Sequence, residues 1–276
     1  MKKRLDTLLV ERGLVSGRDK AKALIMRGIV YASGQKAQKP GDEYLEDIPL
    51  EVRGNPIPFV SRGGLKLEKA VKAFGLPALG AVCADIGAST GGFTDCLLSH
   101  GAVKVYAVDV GYGQLAWALR EDSRVVVLER TNARYLTKDQ IPEPLRLITV
   151  DVSFISLTLL LPALIRLLCV DGHMLCLVKP QFEAGREQVG KKGVVRDPVI
   201  HVQVIEKVVT YAQEIGLEVS GLDFSPIKGP QGNIEYLLHL RNSAATVTQN
   251  IDSRAVVNRA IKALEEEDES SYLAKF

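Results

Sequence analysis

The chain has 276 residues, 46% of them hydrophobic and 25% charged, with a formal net charge of +2. That balance suits a folded globular protein with room for two domains and excludes a disordered polyelectrolyte. The most apolar stretch, 152–165, is shorter than the ~20 residues a spanning helix needs and contains Pro162.

The first segment is basic and helical. Met1-Lys2-Lys3-Arg4 leads straight into an amphipathic pattern with no secretory apolar core, so a cytoplasmic protein is expected. Leu5, Leu8, Leu9 and Leu14 predict a short helix closed by Gly13. Ser16 is the expected cap of a second helix, in which Ala21, Leu24 and Ile25 repeat at helical spacing until Gly28. Residues 29–31 read as a strand, Ser33-Gly34 and 39–42 as turns, and 48–52 as a closing strand. Ten Lys/Arg stand against three acidic residues in 1–40, the charge footprint of a nucleic-acid binder. Gly54-Asn55-Pro56-Ile57-Pro58 is turn-forming punctuation whose prolines restrict a hinge.

Beyond Gly64 strands and helices alternate. Helices are expected at 65–74, 92–99, 114–120, 157–168 and 198–215. Strands are expected at 81–86, 103–108, 125–128, 145–150, 173–178, 217–224 and 234–240. Strict alternation predicts a Rossmann-like α/β fold, a doubly wound and mostly parallel sheet, with the last two strands as an antiparallel pair at its edge. Residues 243–276, with an acidic run at 265–269 and a short helix around 256–264, read as a peripheral tail. Cys83, Cys96, Cys169 and Cys176 form no C-x-x-C pair and read as reduced, buried hydrophobes. The four histidines show no ligand spacing, so no metal is expected.

The segment Asp85-Ile86-Gly87-Ala88-Ser89-Thr90-Gly91-Gly92-Phe93 ends a strand and opens a helix. Small residues there let a ligand approach the backbone, and the helix start offers free N–H groups. The spacing is not the G-x-G-x-x-G of dinucleotide enzymes. Asp109 ends the next strand, where a carboxylate can accept hydrogen bonds from both ribose hydroxyls of a nucleoside. S-adenosylmethionine (SAM), which has no pyrophosphate, tolerates a looser glycine pattern. Loop and acid alone do not separate SAM from a nicotinamide nucleotide.

Two sets of motifs carry a family resemblance. Arg4-Leu5-Asp6-x-Leu8-Leu9, Gly13, Ser16-x-Arg18-x-x-Ala21 and Ile25-x-x-Gly28-x-Val30 resemble the ribosomal-protein S-four-type RNA-binding domain, a small α+β unit. The remainder resembles the FtsJ-like ribose 2′-O-methyltransferases. With Phe59-Val60-Ser61-Arg62-Gly63-Gly64-x-Lys66-Leu67, Asp151-Val152-Ser153-Phe154-Ile155-Ser156-Leu157 and Lys179-Pro180-Gln181-Phe182-Glu183, the chain over 1–242 resembles the TlyA family, known as rRNA cytidine 2′-O-methyltransferases and as haemolysins.

The resemblance implies an RNA-binding domain over 1–56, a linker over 57–63, a methyltransferase domain over 64–242 and the tail 243–276. It implies a catalytic set of Lys66, Asp151, Lys179 and Glu235, with Lys179 nearest the target 2′-hydroxyl. SAM would be held by Asp85, Gly87, Ser89, Thr90, Gly91, Gly92, Phe93 and Asp109, with Asn132 on the adenine side. Arg4, Arg18, Lys20, Lys22, Arg27 and Arg62 are the expected RNA contacts. The expected partner is rRNA or a ribosomal subunit, with cytidine in the large subunit, and a second in the small subunit, as target; a monomer is expected. A membrane-active haemolysin, a nicotinamide-dependent oxidoreductase and a non-catalytic ribosome-binding factor are the alternatives. Short apolar runs, the glycine pattern and the intact catalytic set count against them in turn.

Overall fold

A computed structural model describes residues 2–15, 17–26, 28–53, 57–243 and 251–273. Ser16, the expected cap, Arg27, one expected RNA contact, and hinge residues 54–56 lie outside them, as do the side chains of the acidic run 265–269. The chain divides into two units, Met1–Pro58 and Phe59–Phe276.

In the first unit β1 (Lys2–Arg4) leads into α1 (Leu5–Glu11), followed by α2 (Arg18–Met26), β2 (Val30–Ala32), β3 (Gln35–Lys36), β4 (Glu43–Leu45) and β5 (Leu50–Val52). Leu5 and Leu9 of α1 meet Ala21, Leu24 and Ile25 of α2 in one core, so the helical spacing seen in the sequence is the packing stripe. β2 lies between β3 and β5, while β1 pairs with β4. Ser33 and Gly34, both at positive φ (48° and 78°), make the two-residue turn from β2 to β3.

The second unit runs α3 (Gly63–Phe74), β6 (Val82–Ile86), α4 (Gly92–Ser99), β7 (Lys104–Val108), α5 (Trp117–Arg120), β8 (Val125–Leu128), β9 (Leu145–Val150), α6 (Leu161–Leu164), β10 (Leu168–Val178), α7 (Pro180–Glu183), α8 (Pro198–Glu214), β11 (Glu218–Phe224), β12 (Tyr236–Arg241) and α9 (Ser253–Leu273). Its seven strands are ordered β11-β12-β10-β9-β6-β7-β8. The five from β10 to β8 are parallel, and β12 is antiparallel to both its neighbours. The expected α/β class holds, and the antiparallel pair does lie at one edge. From β6 the chain steps outward to β7 and β8, then returns to place β9 on the other side of β6. The carboxyl ends of β6 and β9 therefore flank the reversal point, where ligands bind in such sheets.

Three expectations are corrected. The helix expected over 157–168 is a 3-10 turn (Leu157–Leu159), the short α6 and the start of β10. Proline has no N–H, so Pro162 cannot sit inside a continuous helix; it stands in the first turn of α6 instead. The tail is not peripheral. α9 buries Val256, Val257 and Ala260 in the main core, and Leu264 is buried as well, an apolar stripe at helical spacing that the surrounding polar sequence obscures. Cys169, expected buried, is half-exposed; the other three cysteines are buried. Among the described residues no helix is long and apolar enough to cross a membrane.

Candidate active site

Four charged side chains from distant parts of the sequence meet at the carboxyl edge of the sheet. Lys66 lies in the first turn of α3, Asp151 just past β9, Lys179 just past β10, and Glu235 just before β12. Because β12 runs against β10, with Val178 opposite Tyr236, Glu235 comes to the same edge as Lys179. Lys179 Nζ lies 2.6 Å from Asp151 Oδ1, Lys66 Nζ 3.3 Å from Asp151 Oδ2, and Lys66 Nζ 2.6 Å from Glu235 Oε2. The result is an alternating chain, Lys179–Asp151–Lys66–Glu235. Every side chain in it is at most 17% exposed.

Charges this deeply placed persist only when paired. Burial disfavours the charge on Lys66, but the carboxylates of Asp151 and Glu235 outweigh it and raise its pKa. Burial likewise opposes ionisation of Asp151, and the two lysines outweigh it and lower its pKa. Lys66 and Asp151 thus hold each other in their ionised forms. Gly229 packs against its far end, where a Cβ would stand 2.6 Å from Glu235 Oε1. A cavity of about 380 Å³ opens over the four groups, walled by Ser61, Arg62, Ser153 and the 227–230 loop.

A second cavity, of about 430 Å³, adjoins it and shares Gly87, Ser89, Asp151 and Ser153 as walls. Its size falls in the ~300–1,000 Å³ range usual for small-molecule sites. Gly87 has φ 84°, and a Cβ on it would lie 2.5 Å from the backbone oxygen of Asp151, so only glycine lets the loop come this close to the end of β9. Asp109 is fixed by backbone donors: Ser89 N–H donates to Oδ2 (2.8 Å) and Gly111 N–H to Oδ1 (2.7 Å). Each oxygen keeps a lone pair, so the carboxylate is set to accept two further hydrogen bonds. Asn132 lines the same cavity while its Oδ1 accepts from Arg134 N–H (3.0 Å).

The nine residues expected to hold cofactor separate into three groups. Gly87, Ser89, Asp109 and Asn132 line the second cavity, and Thr90, Gly92 and Phe93 line the first. Asp85 and Gly91 line neither. Asp85 is fully buried and accepts from Thr94 N–H (2.9 Å) and Thr94 Oγ1 (2.7 Å), so it props the loop from beneath. Burial pushes its pKa up to about 7. Gly91, at φ 94°, sits under Leu115 and Leu119 and serves the turn.

Of the expected RNA contacts, Arg62 lines the first cavity. In the first unit Arg4 and Arg18 share the buried Asp6, at 2.9 and 3.2 Å, and both remain about half exposed. Their guanidinium groups hold the Asp6 carboxyl well below the usual range. Lys22 pairs with Asp19, and Lys20 is exposed.

The sequence reading missed Phe154, Glu183 and one cluster. Phe154 is 90% exposed, adopts φ 65°, lines the second cavity and packs its ring 5.0 Å from that of Phe182. Left-handed backbone at a non-glycine residue costs ~1–2 kcal/mol, so the surroundings hold it there. Within an apolar run this phenylalanine reads as core, and only its backbone conformation marks it out. Glu183 is buried and accepts from Ser156 Oγ and Leu157 N–H, both at 2.6 Å, tying the Phe154 loop to α7. Glu68, Cys96 and His100 also converge, a set the cysteine and histidine spacing did not suggest. His100 Nε2 lies 3.2 Å from Glu68 and Nδ1 2.9 Å from Cys96 O, and burial keeps the Cys96 thiol protonated, so the cluster bridges α3 and α4.

The FtsJ-like methyltransferase family model matches residues 59–242, the whole of the sheet and both cavities. The chain belongs to the FtsJ-like methyltransferases, in their TlyA branch. It is 46% identical over 259 residues to the 16S/23S rRNA (cytidine-2′-O)-methyltransferase TlyA of Mycobacterium tuberculosis, covering 94% of this chain and 97% of that one. It is 43% identical over 240 residues to Hemolysin A of Brachyspira hyodysenteriae, covering 86% and 98%. A solved structure from Streptococcus thermophilus, described provisionally as a hemolysin, superposes with a TM-score of 0.77 at 45% identity, covering 97% of this chain and 98% of that one. FtsJ-like methyltransferases use SAM. The second cavity fits that cofactor: a backbone-oriented carboxylate faces a space a nucleoside would fill, and a glycine at φ 84° lets the loop close on it.

Proposed function

We propose that the protein is a SAM-dependent rRNA ribose 2′-O-methyltransferase acting on cytidine in the large ribosomal subunit, and on a second cytidine in the small subunit. The observation that carries this reading is the buried chain Lys179–Asp151–Lys66–Glu235 at the wall shared by two adjoining cavities. One cavity is shaped for a nucleoside cofactor, and the other presents lysine to a substrate. The TlyA relatives named for this activity match nearly the whole chain.

SAM supplies a methyl group made electrophilic by its sulfonium. The protein has to align a ribose hydroxyl with that methyl and ease loss of the hydroxyl proton. Lys179 Nζ would donate to the 2′-oxygen and stabilise the charge that develops there as the O–C bond forms, the methyl–sulfur bond breaks and the hydroxyl proton passes to solvent in the cavity. Asp151 fixes Lys179 from one side, and Ser153 Oγ, 3.4 Å from Nζ, fixes it from the other. Lys66 keeps Asp151 ionised, and Glu235 keeps Lys66 protonated and in place. Asp109 would accept from the cofactor's ribose hydroxyls, and Asn132 would hold its adenine side. Phe154 and Phe182 offer an aromatic surface beside Lys179 for the base of the target nucleotide. The first unit, read as an S-four-type RNA-binding domain, adds phosphate contacts through Arg4, Arg18, Lys20 and Lys22, and Arg62 guides RNA into the cavity. A ribosomal-subunit substrate supports a cytoplasmic protein. The hemolysin names belong to the relatives that carry them; a buried chain of paired charges is an arrangement for group transfer.

The test uses tritiated SAM and ribosomal subunits from a strain lacking this gene. Label that blocks alkaline cleavage after one cytidine is the expected result. Bound SAM with no label in either subunit would overturn the substrate, and absence of SAM binding would overturn the reading as an enzyme.

A further inference from the structure

Two loops beyond the family motifs are held together by one buried side chain. The first follows α7 and carries Arg186, Lys191, Lys192 and Arg196, all exposed. Among the described residues none of these four takes part in an ion pair. The second, 227–232, walls the catalytic cavity and leads into Glu235. Asn233, 1% exposed, joins them: its Oδ1 accepts from Val195 N–H (3.0 Å), its Nδ2 donates to Gly193 O (2.8 Å), and its own carbonyl accepts from Gly229 N–H (2.8 Å). Between the loops lies a cavity of about 580 Å³ with Arg196, Lys228 and Gln231 on its walls and, among the described residues, no acidic one lining it. Lys228 lines this cavity and the catalytic one, so the basic rim runs continuously into the active site.

We propose that Asn233 is a positioning residue that locks the basic loop and the cavity wall into one RNA-facing rim, so that RNA backbone seated on Lys191, Lys192 and Arg196 is held in register with Glu235. This rests on the RNA substrate proposed above. The physical grounds are directional. A buried amide can satisfy a donor and an acceptor on the same loop only in one orientation, and leaving those two backbone groups unpaired is costly. Lys191, Lys192 and Arg196, exposed and in no ion pair among the described residues, attract the phosphate backbone, which steers and positions without reading sequence. Asn233 does not line the cofactor cavity, and it touches none of that cavity's lining residues through these bonds. Its effect is therefore on RNA and not on SAM.

The experiment compares the full-length protein with Asn233→Ala, with Lys191→Ala/Lys192→Ala, and with all three changes, using tritiated SAM and subunits from the strain lacking the gene. Asn233→Ala raises KM for the subunits about tenfold and lowers kcat, as loss of buried hydrogen bonds predicts, while SAM affinity stays within about twofold of the starting protein. The lysine pair raises the same KM, and the triple variant is little worse than Asn233→Ala, because the lysines act through the loop that Asn233 holds. Unchanged KM in Asn233→Ala, or fully additive effects, would overturn the proposal. If Asn233→Ala does not fold by circular dichroism, the lysine pair decides: an unchanged KM overturns the rim. Failure of the unaltered protein to label either subunit would instead sink the substrate reading and take the rim with it.

Discussion

The two adjoining cavities share a wall but solve opposite electrostatic problems. In the catalytic cavity two lysines and two carboxyl side chains are buried together and pair with one another, and their geometry comes from α3 and the ends of β9, β10 and β12. In the cofactor cavity a single half-buried carboxylate, Asp109, is aimed by two backbone N–H groups of neighbouring loops. The first arrangement is built from side chains and breaks when one partner is removed. The second is built from backbone and breaks when the loop is bent. Removing a side chain should therefore separate the two sites, whereas disturbing the loop should damage both.

The largest expected effect is on turnover. Lys179→Ala should lower kcat by about 10²–10³-fold, as for removal of one donor to a developing oxyanion, with SAM affinity nearly unchanged. Single-turnover methyl transfer and equilibrium SAM binding check this, and a large loss of SAM affinity would undo the separation of the two cavities. Asp109→Ala should do the reverse. It should weaken SAM by about 10–100-fold, the loss expected for charge-assisted hydrogen bonds, while kcat at saturating SAM changes only severalfold. Gly87→Ala should harm both sites at once, because its φ of 84° and the 2.5 Å approach to Asp151 O cannot both survive a Cβ. A cost of ~1–3 kcal/mol and a lower Tm follow, measurable by thermal unfolding with and without SAM.

The smallest effect concerns pH. His173 and His239, stacked and hydrogen-bonded at 2.8 Å, have pKa values pushed down to about 4. Burial is the main cause for both, aided by Arg146 and Arg241 at His173 and by His173 and Arg241 at His239. The unfolded chain binds protons on both below about pH 6.5 and the folded chain does not, so their contribution is present above pH 6.5 and lost as pH falls toward 4. Asp85 opposes this. Its folded pKa of about 7 lies above the ordinary carboxylate value, so the folded state holds the extra proton and gains stability as pH falls from 7. Asp85→Asn should remove the opposing part and steepen the loss of Tm between pH 7 and 5. It should leave SAM affinity within about twofold, since the amide can still accept from Thr94. A tenfold weaker SAM would restore Asp85 to the cofactor cavity wall.

The limits of sequence reading follow from the range of the forces involved. The strands at 125–128 and 145–150 match the structure residue for residue, because each is a short β-branched and apolar run bounded by turn residues. The glycine loop and Asp109 were legible because a strand-to-helix turn and a strand end are local events. Asp85, expected at the cofactor, lies beneath the loop; a carboxylate at a strand end points into a cavity or beneath a loop, and the local sequence is the same in both cases. The breaking of 157–168 and the docking of α9 were decided by partners far away in the chain: Leu168 pairs with Leu145, and α9 packs its valines into the shared core.

The amino-acid sequence by itself determined the α/β class, the position of the cofactor loop and, through motif resemblance, the identity of the four charged residues. Those depend on residue type and on spacing within one strand–helix unit. Only the tertiary structure decided that the four charges form one alternating chain, that Phe154 is held exposed at positive φ, and that Asn233 joins two loops. Each depends on side chains brought together across tens of residues. Within each hydrogen bond or ion pair, a shift of an ångström separates contact from none, and only the packed sheet holds positions that closely.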